Sequence, residues 1–371
     1  MRDRVPWAMR APVRRARNAL ALRRALAVQR ARWDDIAGTP PRRGEIAVSY
    51  GVERMPGPAD VVYGGHVKFS LLDRSLPNAP RDFNLLYLGS SALPLEAQKL
   101  VELARQRGAA FAWNQNGTAY RGWYGDGWEL VNEPRATLLH EADHVFFQSA
   151  FCKVSADRFY GERRGPWEVL HNPVDTRRFV PAEHGDRPLT LLLGGNQYQR
   201  YRLEVALETL ALVRRERRDA RLLVAGELSF SPPVRVDRPG VELVGSYTQA
   251  EAPALMQRAD ILLHTKYNDP CPTVVLEAMA SGLPVVHSKS GGTPELVGDD
   301  AGIGIDAPLD WDRDHPPSPE ALSDAVLVAA EGLADRSAAA RERSLGFDSE
   351  QWVERHHTVF TELIRRGATV S

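Results

Sequence analysis

The sequence predicts an α/β protein with two Rossmann-like domains whose parallel sheets face a central cleft. At 371 residues the chain is too long for one ordinary hydrophobic core and suits two domains. From residue 45 onward, short apolar runs alternate with helical patterns, which is typical of parallel strands covered by helices on both faces. A polar stretch at residues 180–188 interrupts this alternation, which then restarts, so two domains are expected.

This alternation divides the chain into four expected segments. They are a basic helical leader at residues 1–44, an N-terminal domain at 45–180, a C-terminal domain at 181–350 and a helix at 351–371 that is free to pack back on the N-terminal domain. Strands are predicted at residues 45–50, 59–65, 83–89, 109–117, 142–149, 167–175, 189–195, 220–227, 241–247, 260–267, 283–288 and 301–306. Helices are predicted at 66–76, 95–108, 150–160, 203–217, 251–259 and 273–280. The acidic, proline-rich stretch at 306–320 is expected to be a surface loop.

The composition is that of a globular protein in a reducing compartment. Apolar residues make up 43% of the chain, and the apolar runs are too short to span a membrane. The start of the chain lacks the apolar core of a secretion signal. Two cysteines, Cys152 and Cys271, cannot make a disulfide framework and lack metal-ligand spacing. A cytoplasmic protein without a nucleic-acid partner is therefore expected.

The leader is strongly basic, and its role is open. Residues 1–45 hold twelve arginines and four acidic residues, a charge of +8 against −1 for the whole chain. Leucines recur between the arginines, which is typical of a basic amphipathic helix. Weak peripheral contact with an anionic membrane is one interpretation. A solvated helix packed across the body of the protein, or a partly disordered leader, is favoured, because the apolar face is thin.

The densest motif is DPCPTVVLEAMASGLPVVHSKSGGTPELV, from Asp269 to Val297. Pro272 and Thr273 stand where a helix should begin, and the free N–H groups and dipole of a helix N-terminus attract anions. Glu277 lies one turn further along the same face, where a carboxylate can accept two hydrogen bonds from a ribose diol. Gly291 and Gly292 precede a further helix and allow close backbone approach. The combination suits a sugar joined to a nucleoside through phosphates.

This motif closely resembles that of the retaining GT-B glycosyltransferases, especially family 4. Matching residues are the acid Asp269, Glu277 within EAMA after seven intervening residues, the segment Gly282-x-Pro-Val-Val, and Gly291-Gly292 with Glu295. The resemblance covers most of residues 45–365, including the junction NPVDTRRFVP that starts at Asn172.

The resemblance implies a role for each matching residue. Glu277 would bind the donor ribose, and Asp269 would face the transferred sugar, although the family usually has glutamate there. Asn196 and Tyr201 occupy the places where the family has the arginine and lysine that neutralise the diphosphate, so Arg200 or Arg202 is expected to supply the cation. The expected donor-binding residues are Gly64, Gly65, Gly195, Asn196, Arg202, Pro272, Thr273, Glu277, Gly291 and Gly292.

In the N-terminal domain the resemblance indicates an acceptor side. His66, just after the Gly64-Gly65 loop, is expected to form a hydrogen bond with the acceptor or the leaving phosphate. The alternative is that His66 is only a polar residue at the start of a helix. Four residues are expected to contact an acceptor through stacking and hydrogen bonds: Asn114, Asn116, Tyr120 and Trp123. The alternative is that the segment containing these residues is a long loop whose aromatic side chains serve only to stabilise it.

The expected function is therefore transfer of a hexose-type sugar from a UDP- or GDP-sugar to a small-molecule, glycan or lipid-linked hydroxyl acceptor. Retention of configuration is expected, with Asp269, Glu277, Arg200 and His66 as the reacting-site residues, and with no metal and no cofactor besides the donor. The alternatives are an inactive nucleotide-sugar-binding homologue, or an epimerase or phosphorylase on the same fold.

Overall fold

The computed structural model of the chain describes residues 7–57, 64–182, 187–230 and 233–370. Parallel strands dominate both halves, as the alternation predicts. The strand expected at 59–65 lies mostly outside the described residues, and its last two residues, Gly64 and Gly65, begin a helix instead.

The N-terminal half is built on a five-stranded parallel sheet in the order β1-β2-β3-β4-β5. Its strands are β1 Val48–Ser49, β2 Leu85–Gly89, β3 Ala110–Gln115, β4 His144–Phe147 and β5 Trp167–Val169. Its helices are α1 Trp7–Gly38, α2 Gly64–Asp73, α3 Ala97–Gln106, α4 Arg121–Tyr124, α5 Trp128–Glu141 and α6 Ala150–Tyr160. Strands β1 to β4 are almost fully buried, which explains their mainly apolar sequences, whereas β5, at the edge of the sheet, is partly exposed.

The C-terminal half is built on a six-stranded parallel sheet in the order β11-β10-β9-β6-β7-β8. Its strands are β6 Thr190–Leu193, β7 Arg221–Ala225, β8 Val241–Gly245, β9 Ile261–His264, β10 Val285–Ser288 and β11 Gly302–Ile305. Its helices are α7 Arg200–Glu216, α8 Ala252–Met256, α9 Thr273–Ala280, α10 Thr293–Val297, α11 Pro319–Glu331 and α12 Leu333–Leu345, followed by α13 Ser349–Val370. The chain runs outward from β6 and then returns to place β9 on the other side of β6. Such a switch point opens a crevice at the carboxyl ends of the two strands.

The two terminal helices pack on the N-terminal sheet. Trp33 and Ile36, near the end of α1, are buried in the core formed with α3. On α13, Trp352 and Phe360 are buried against the opposite face of the sheet, beside Tyr87. The end of α1 thus packs on the body of the protein, and α13 crosses back to the first sheet.

The loop at residues 306–318, hereafter the bridging loop, departs from the sequence expectation. It was expected to be surface, but Trp311 is half-buried in an aromatic cluster of the N-terminal half. Its ring centroid lies 5.0 Å from that of Tyr120 and 5.3 Å from those of Phe151 and Phe159. The expectation is wrong for Trp311 because its apolar partners belong to the other domain, which local composition cannot indicate.

Candidate functional site

A cavity of about 580 Å³, hereafter the cleft, lies between the two domains. Its C-terminal wall consists of the turn after β6 at residues 194–196, the end of β9 and the start of α9. Its N-terminal wall includes Gly65 and Lys68 of α2 and Gln148 after β4. The cleft therefore occupies the crevice that the strand order creates between β6 and β9.

The start of α9 faces the cleft. Pro272, Thr273 and Val274 line it, so the positive end of the helix dipole is directed at the cavity. Proline has no backbone N–H, so Pro272 leaves no unpaired donor at the start of the helix. The sequence placed the helix start here, and the structure begins α9 at Thr273.

Glu277 also lines the cleft, one turn inside α9. It is 6% exposed, and its carboxylate makes no hydrogen bond or ion pair within the described part of the chain. Burial raises the pKa of Glu277 to about 7, although the positive charge of Arg178 acts in the opposite direction. A buried carboxylate whose oxygens face a cavity without partners is prepared to accept hydrogen bonds from a ligand.

Asp269 lies at the floor of the cleft beside the cations Lys266 and Arg202 and the buried imidazole of His264, whose pKa is lowered by burial. One carboxylate oxygen is 3.2 Å from Nζ of Lys266, and the other is 3.3 Å from Nε2 of His264. Burial alone would raise the pKa of Asp269, but Lys266, His264 and Arg202 together hold it well below its usual range. Asp269 is therefore ionised across the neutral range.

The cations around the cleft are not all those expected from the sequence. Arg202 lines it, is 5% exposed and donates to the carbonyl of Asn196 at 3.0 Å. Arg200 does not line it, and its side chain pairs with Glu204 at 2.7 Å on the outer face of α7. Lys266 lines it and was missed, although a lysine at the carboxyl end of a predicted strand is a signal for a crevice residue.

The uncharged residues at the expected cation places have structural partners. Asn196 lines the cleft, and its side-chain oxygen accepts a hydrogen bond from the backbone N–H of Glu227 at 2.9 Å. The Tyr201 hydroxyl accepts from the backbone N–H of Tyr267 at 3.0 Å. Gly195, the residue before Asn196, adopts φ +81°, which glycine tolerates best, and it too lines the cleft.

Gly291 and Gly292 lie behind the cleft wall rather than in it. A Cβ on Gly291 would overlap the backbone of Asp269, and one on Gly292 would overlap the carbonyl oxygen of Pro270. The Gly292 N–H donates to the carbonyl of Asp269 at 2.8 Å. The pair therefore holds in place the loop that carries Asp269.

The N-terminal wall is a network of buried amides around Lys68. The Lys68 ammonium donates to the side-chain oxygen of Asn114, which also accepts from Gln148 at 2.7 Å. Asn172 donates to Gln148 at 3.0 Å and to the carbonyl of Cys271 at 2.8 Å, so the network crosses between domains. Burial lowers the pKa of Lys68 to about 7.

The residues expected on the acceptor side are divided between the cleft and the core. Asn116 and Trp123 line the cleft, and Trp123 is 49% exposed. Asn114 is buried beneath the wall, and Tyr120 is buried against Trp311. Gly64 and Gly65 are the first two residues of α2, and Gly65 lines the cleft.

Some expectations fall outside what the structure describes. The side chain of His66 lies outside the described residues, so its role stays a prediction. Within the described residues, no helix is long and apolar enough to cross a bilayer. In the same residues, no group of three or more His, Cys, Asp or Glu side chains is placed to hold a metal ion.

Comparison with known proteins finds relatives of the C-terminal half. Residues 187–328 match the family model described as glycosyl transferases group 1. The chain is 28% identical over 176 residues to a glycogen synthase of Mycobacterium tuberculosis, an alignment covering 45% of this chain and 42% of the relative. It is 40% identical over 94 residues to a D-inositol 3-phosphate glycosyltransferase of Corynebacterium jeikeium, covering 24% of this chain and 20% of the relative. The chain therefore spans less than half the length of these curated relatives.

Solved structures resemble the whole arrangement of two sheets. Sucrose-phosphate synthase from Thermosynechococcus elongatus superimposes with a TM-score of 0.60 at 17% identity, covering 88% of each chain. The Anabaena protein HepE in complex with UDP-glucose superimposes with a TM-score of 0.59 at 15% identity, covering 80% of this chain and 82% of that one. At such low identity the likeness shows the fold, which is GT-B as the sequence predicted.

Proposed function

We propose that this chain, whose residues 187–328 form a glycosyl transferases group 1 domain within a GT-B fold, is a glycosyltransferase acting from a UDP- or GDP-sugar. The observation that carries the proposal is Glu277, a buried carboxylate facing the switch-point cleft one turn inside α9. Hydrogen bonds from a ribose diol would satisfy its oxygens. The likeness to HepE, which was solved in complex with UDP-glucose, supports the same class of donor.

The donor diphosphate would lie at the start of α9. The helix dipole there is positive, and Arg202 and Lys266 add two side-chain cations on the same wall of the cleft. These two residues would replace the arginine and lysine that the family has at the places of Asn196 and Tyr201. Arg200, which is directed toward Glu204, takes no part.

The transferred hexose would lie beside Asp269. The positive charges of Lys266 and Arg202 and the nearby His264 imidazole keep the carboxylate ionised, so it can accept hydrogen bonds from sugar hydroxyls. Aspartate is one methylene shorter than the usual glutamate. The hexose therefore has to approach the floor of the cleft more closely, or bond it through fewer hydroxyls.

Transfer breaks the bond between the anomeric carbon and the diphosphate oxygen and forms a bond from that carbon to the acceptor oxygen. Negative charge grows on the leaving diphosphate, and prearranged cations with the α9 terminus stabilise it without reorganisation. The leaving oxygen would take the acceptor proton, so reaction on one face retains configuration and needs no protein nucleophile. Because these groups supply the positive charge, the proposed reaction is independent of metal.

The acceptor hydroxyl would arrive from the N-terminal wall. Asn116 and Trp123 line the cleft opposite the proposed diphosphate site, with an amide for hydrogen bonding and an indole for stacking. Lys68 and its amide network form part of this wall and hold its side chains in place. The acceptor-binding role of Asn114 would then be indirect, through Lys68 and Gln148.

The test is a thermal-shift panel of UDP, GDP, UDP-glucose and GDP-mannose on the wild type and on Glu277→Gln. A selective binder raises the melting temperature by mass action. We expect one nucleotide series to stabilise the wild type and to lose most of its effect on Glu277→Gln. Glu208→Gln, which alters an exposed glutamate on α7, should keep the full shift. Equal shifts in all three proteins would overturn the ribose assignment.

One observation favours a second candidate, an inactive homologue that binds nucleotide sugars. The expected cation places hold Asn196 and Tyr201, and Arg200 pairs with Glu204. Calorimetry with UDP and GDP, combined with a donor-hydrolysis assay, separates the two. Tight binding without hydrolysis or transfer would favour the second candidate.

We propose a cytoplasmic location, which two buried free thiols support. Packing of Trp33 and Ile36 favours an α1 that is attached to the protein body. Contact of α1 with a membrane stays a prediction, which sedimentation with anionic vesicles, with and without residues 1–40, would test. Equal sedimentation of the two forms would exclude it.

A further inference from the structure

We infer that a second cavity, outside the cleft, binds a neutral oligosaccharide that extends from the acceptor side. This rests on the proposed glycosyltransferase function. The cavity measures about 800 Å³, within the range of ligand pockets. It lies where the start of α5 and the end of α6 meet the bridging loop.

Its apolar lining consists of aromatic rings held in fixed orientations. Trp128 and Trp311 line it on either side of Phe159, with ring centroids 5.1 and 5.3 Å from that of Phe159. Both contacts are edge-to-face. Trp311 is fixed further by stacking on Phe151. The cavity thus presents rigid aromatic surfaces of the kind on which the apolar faces of pyranose rings stack.

Its polar lining consists of charged side chains of both signs. They are Arg121, Asp126, Glu129, Arg158 and Asp312. In the described part of the chain none of these side chains makes a salt bridge or a hydrogen bond, and the Arg158 guanidinium lies 5.6 Å from the Phe159 ring centroid. Hydrogen-bond donors and acceptors are therefore both available to the hydroxyl groups of a ligand. With two positive and three negative side chains, the lining carries a net negative charge, which disfavours binding of phosphates.

The helical turn α4 connects this cavity to the cleft. Arg121, its first residue, lines the second cavity, while Trp123 lines the cleft. A turn rises only about 1.5 Å per residue, so the two cavities lie on opposite sides of one narrow partition. Tyr124, the last residue of α4, is 48% exposed and adds another ring beside the partition. An oligosaccharide whose end reaches the cleft can therefore place its distal units in the second cavity.

The partition is held to the C-terminal domain, so the cavity is preformed. The Gly122 N–H donates to the carbonyl of Trp311 at 2.8 Å. A Cβ at Gly122 would lie 2.7 Å from the backbone nitrogen of Arg313, so only glycine allows this approach. A preformed site avoids ordering costs on binding.

The test is titration of maltohexaose, cellohexaose, mannohexaose and chitohexaose, with their monosaccharides, against the full chain without donor, by calorimetry. We expect one hexasaccharide to bind saturably in the millimolar range or tighter, and its monosaccharide to bind more weakly. Trp128→Ala should weaken binding by about tenfold, which corresponds to about 1.4 kcal/mol. Glu129→Gln, a change at an exposed residue, should also weaken it.

Trp167→Ala is the matched control, because Trp167 is 45% exposed in the same half of the chain and lines neither cavity. Saturable binding that Trp167→Ala leaves unchanged and Trp128→Ala weakens would support the inference. Absence of binding by all four hexasaccharides, or binding insensitive to Trp128→Ala and Glu129→Gln, would overturn it. UDP and GDP shifts on the same samples test the proposed function separately.

Discussion

Lys266 is the residue that we propose in place of a cation that the family resemblance implied at Asn196 or Tyr201. It comes from the end of β9, whereas the expected places, Asn196 and Tyr201, come after β6. Both strand ends border the same crevice because the sheet order reverses between them. A cation can therefore move between these strand ends and still face the same anion.

We expect Lys266→Met to weaken UDP or GDP binding by roughly tenfold to a hundredfold, since a charge-assisted contact is worth on the order of 1.5–3 kcal/mol. Calorimetry measures the loss. Lys289→Met removes an exposed lysine that pairs with Asp306 outside the cleft, and it should leave affinity unchanged. Arg200→Ala should also leave it unchanged. Full affinity in Lys266→Met would remove Lys266 from the diphosphate site.

Glu277 makes the stability of the fold depend on pH. Its pKa is raised from 4.5 to about 7 by burial, so the folded state holds a proton that the unfolded state releases between those values. Stability conferred by the neutral form is therefore lost as pH rises from about 4.5 to 7. The difference corresponds to on the order of 3 kcal/mol.

Glu277→Gln keeps the shape and removes the titration. We expect the variant to melt at a higher temperature than the wild type at pH 8 and at nearly the same temperature at pH 5. Differential scanning fluorimetry without nucleotide measures both. A melting difference that stays constant from pH 5 to pH 8 would show that the carboxyl group is not held neutral by burial.

At this scale the sequence identified the carboxylates but not their electrostatic neighbours. Asp269, Glu277 and Pro272 could be predicted because they stand within one contiguous motif. Lys266 and His264 could not be assigned from that motif. Both residues lie beside Asp269 because of the conformation of the turn between β9 and α9, which the sequence pattern does not predict.

At the scale of elements, the turn before α10 fixes the loop before α9. Gly291 and Gly292 press against the backbone of residues 268–270, and Gly292 also approaches Ser149 of the N-terminal half. Ser149 itself donates to the carbonyl of Pro270 at 2.7 Å. Three segments therefore meet with no room for a methyl group.

We expect Gly292→Ala to lower the free energy of unfolding by about 1–3 kcal/mol, because the added Cβ overpacks against Pro270 and Ser149. It should also weaken nucleotide binding by displacing Asp269. Gly38→Ala is the control, since no atom lies within 4 Å of a Cβ there. Denaturant unfolding and calorimetry measure the two effects. Stability and affinity equal to the wild type would show that Pro270 and Ser149 can shift to accommodate the methyl group at no measurable cost.

Element prediction succeeded where apolar periodicity was uninterrupted and failed where glycine and proline obscured it. Strands β2, β3, β4, β6 and β9 and helices α3, α6 and α9 fall within the predicted segments, and α7 begins three residues before the predicted start at residue 203. The helices α4 and α5 were not predicted. Gly125 and Gly127 separate the two helices and Pro134 lies inside α5, so the sequence shows no continuous helical pattern. The helices form because of tertiary contacts: α5 packs on α6, and α4 is hydrogen-bonded to Trp311.

At the scale of the whole molecule, two contacts join the domains near the start of α6, in addition to those of Asn172 and Ser149. One is the contact of Gly122 with Trp311 in the bridging loop. The other is Glu295 of α10, whose carboxylate accepts from the backbone N–H groups of Ala150 at 2.7 Å and Phe151 at 2.9 Å. Because both contacts join the domains, we expect their strength to influence how readily the two domains separate.

The Glu295 bridge is electrostatic as well as geometric. Its carboxylate lies at the positive end of α6 and 3.2 Å from Nε2 of His171. Burial alone would raise the pKa of Glu295, but His171 and the two backbone donors hold it below its usual value. Ionised at neutral pH, Glu295 links the C-terminal domain to the first turn of an N-terminal helix.

We therefore expect Glu295→Gln to shift the protein toward an open arrangement. The amide loses the charge and one of its two acceptor atoms, which costs roughly 1–2 kcal/mol of interdomain stabilisation. Small-angle X-ray scattering without ligand should show a larger radius of gyration than the wild type. Glu354→Gln, an exposed change on α13, is the matched control and should leave it unaltered. Identical scattering from the wild type and Glu295→Gln would show that the Glu295 contact is not needed to keep the cleft closed. In that case the Gly122–Trp311 contact suffices for closure. Gly122→Ala, which forces a Cβ against the backbone of Arg313, would then be the variant that opens the cleft.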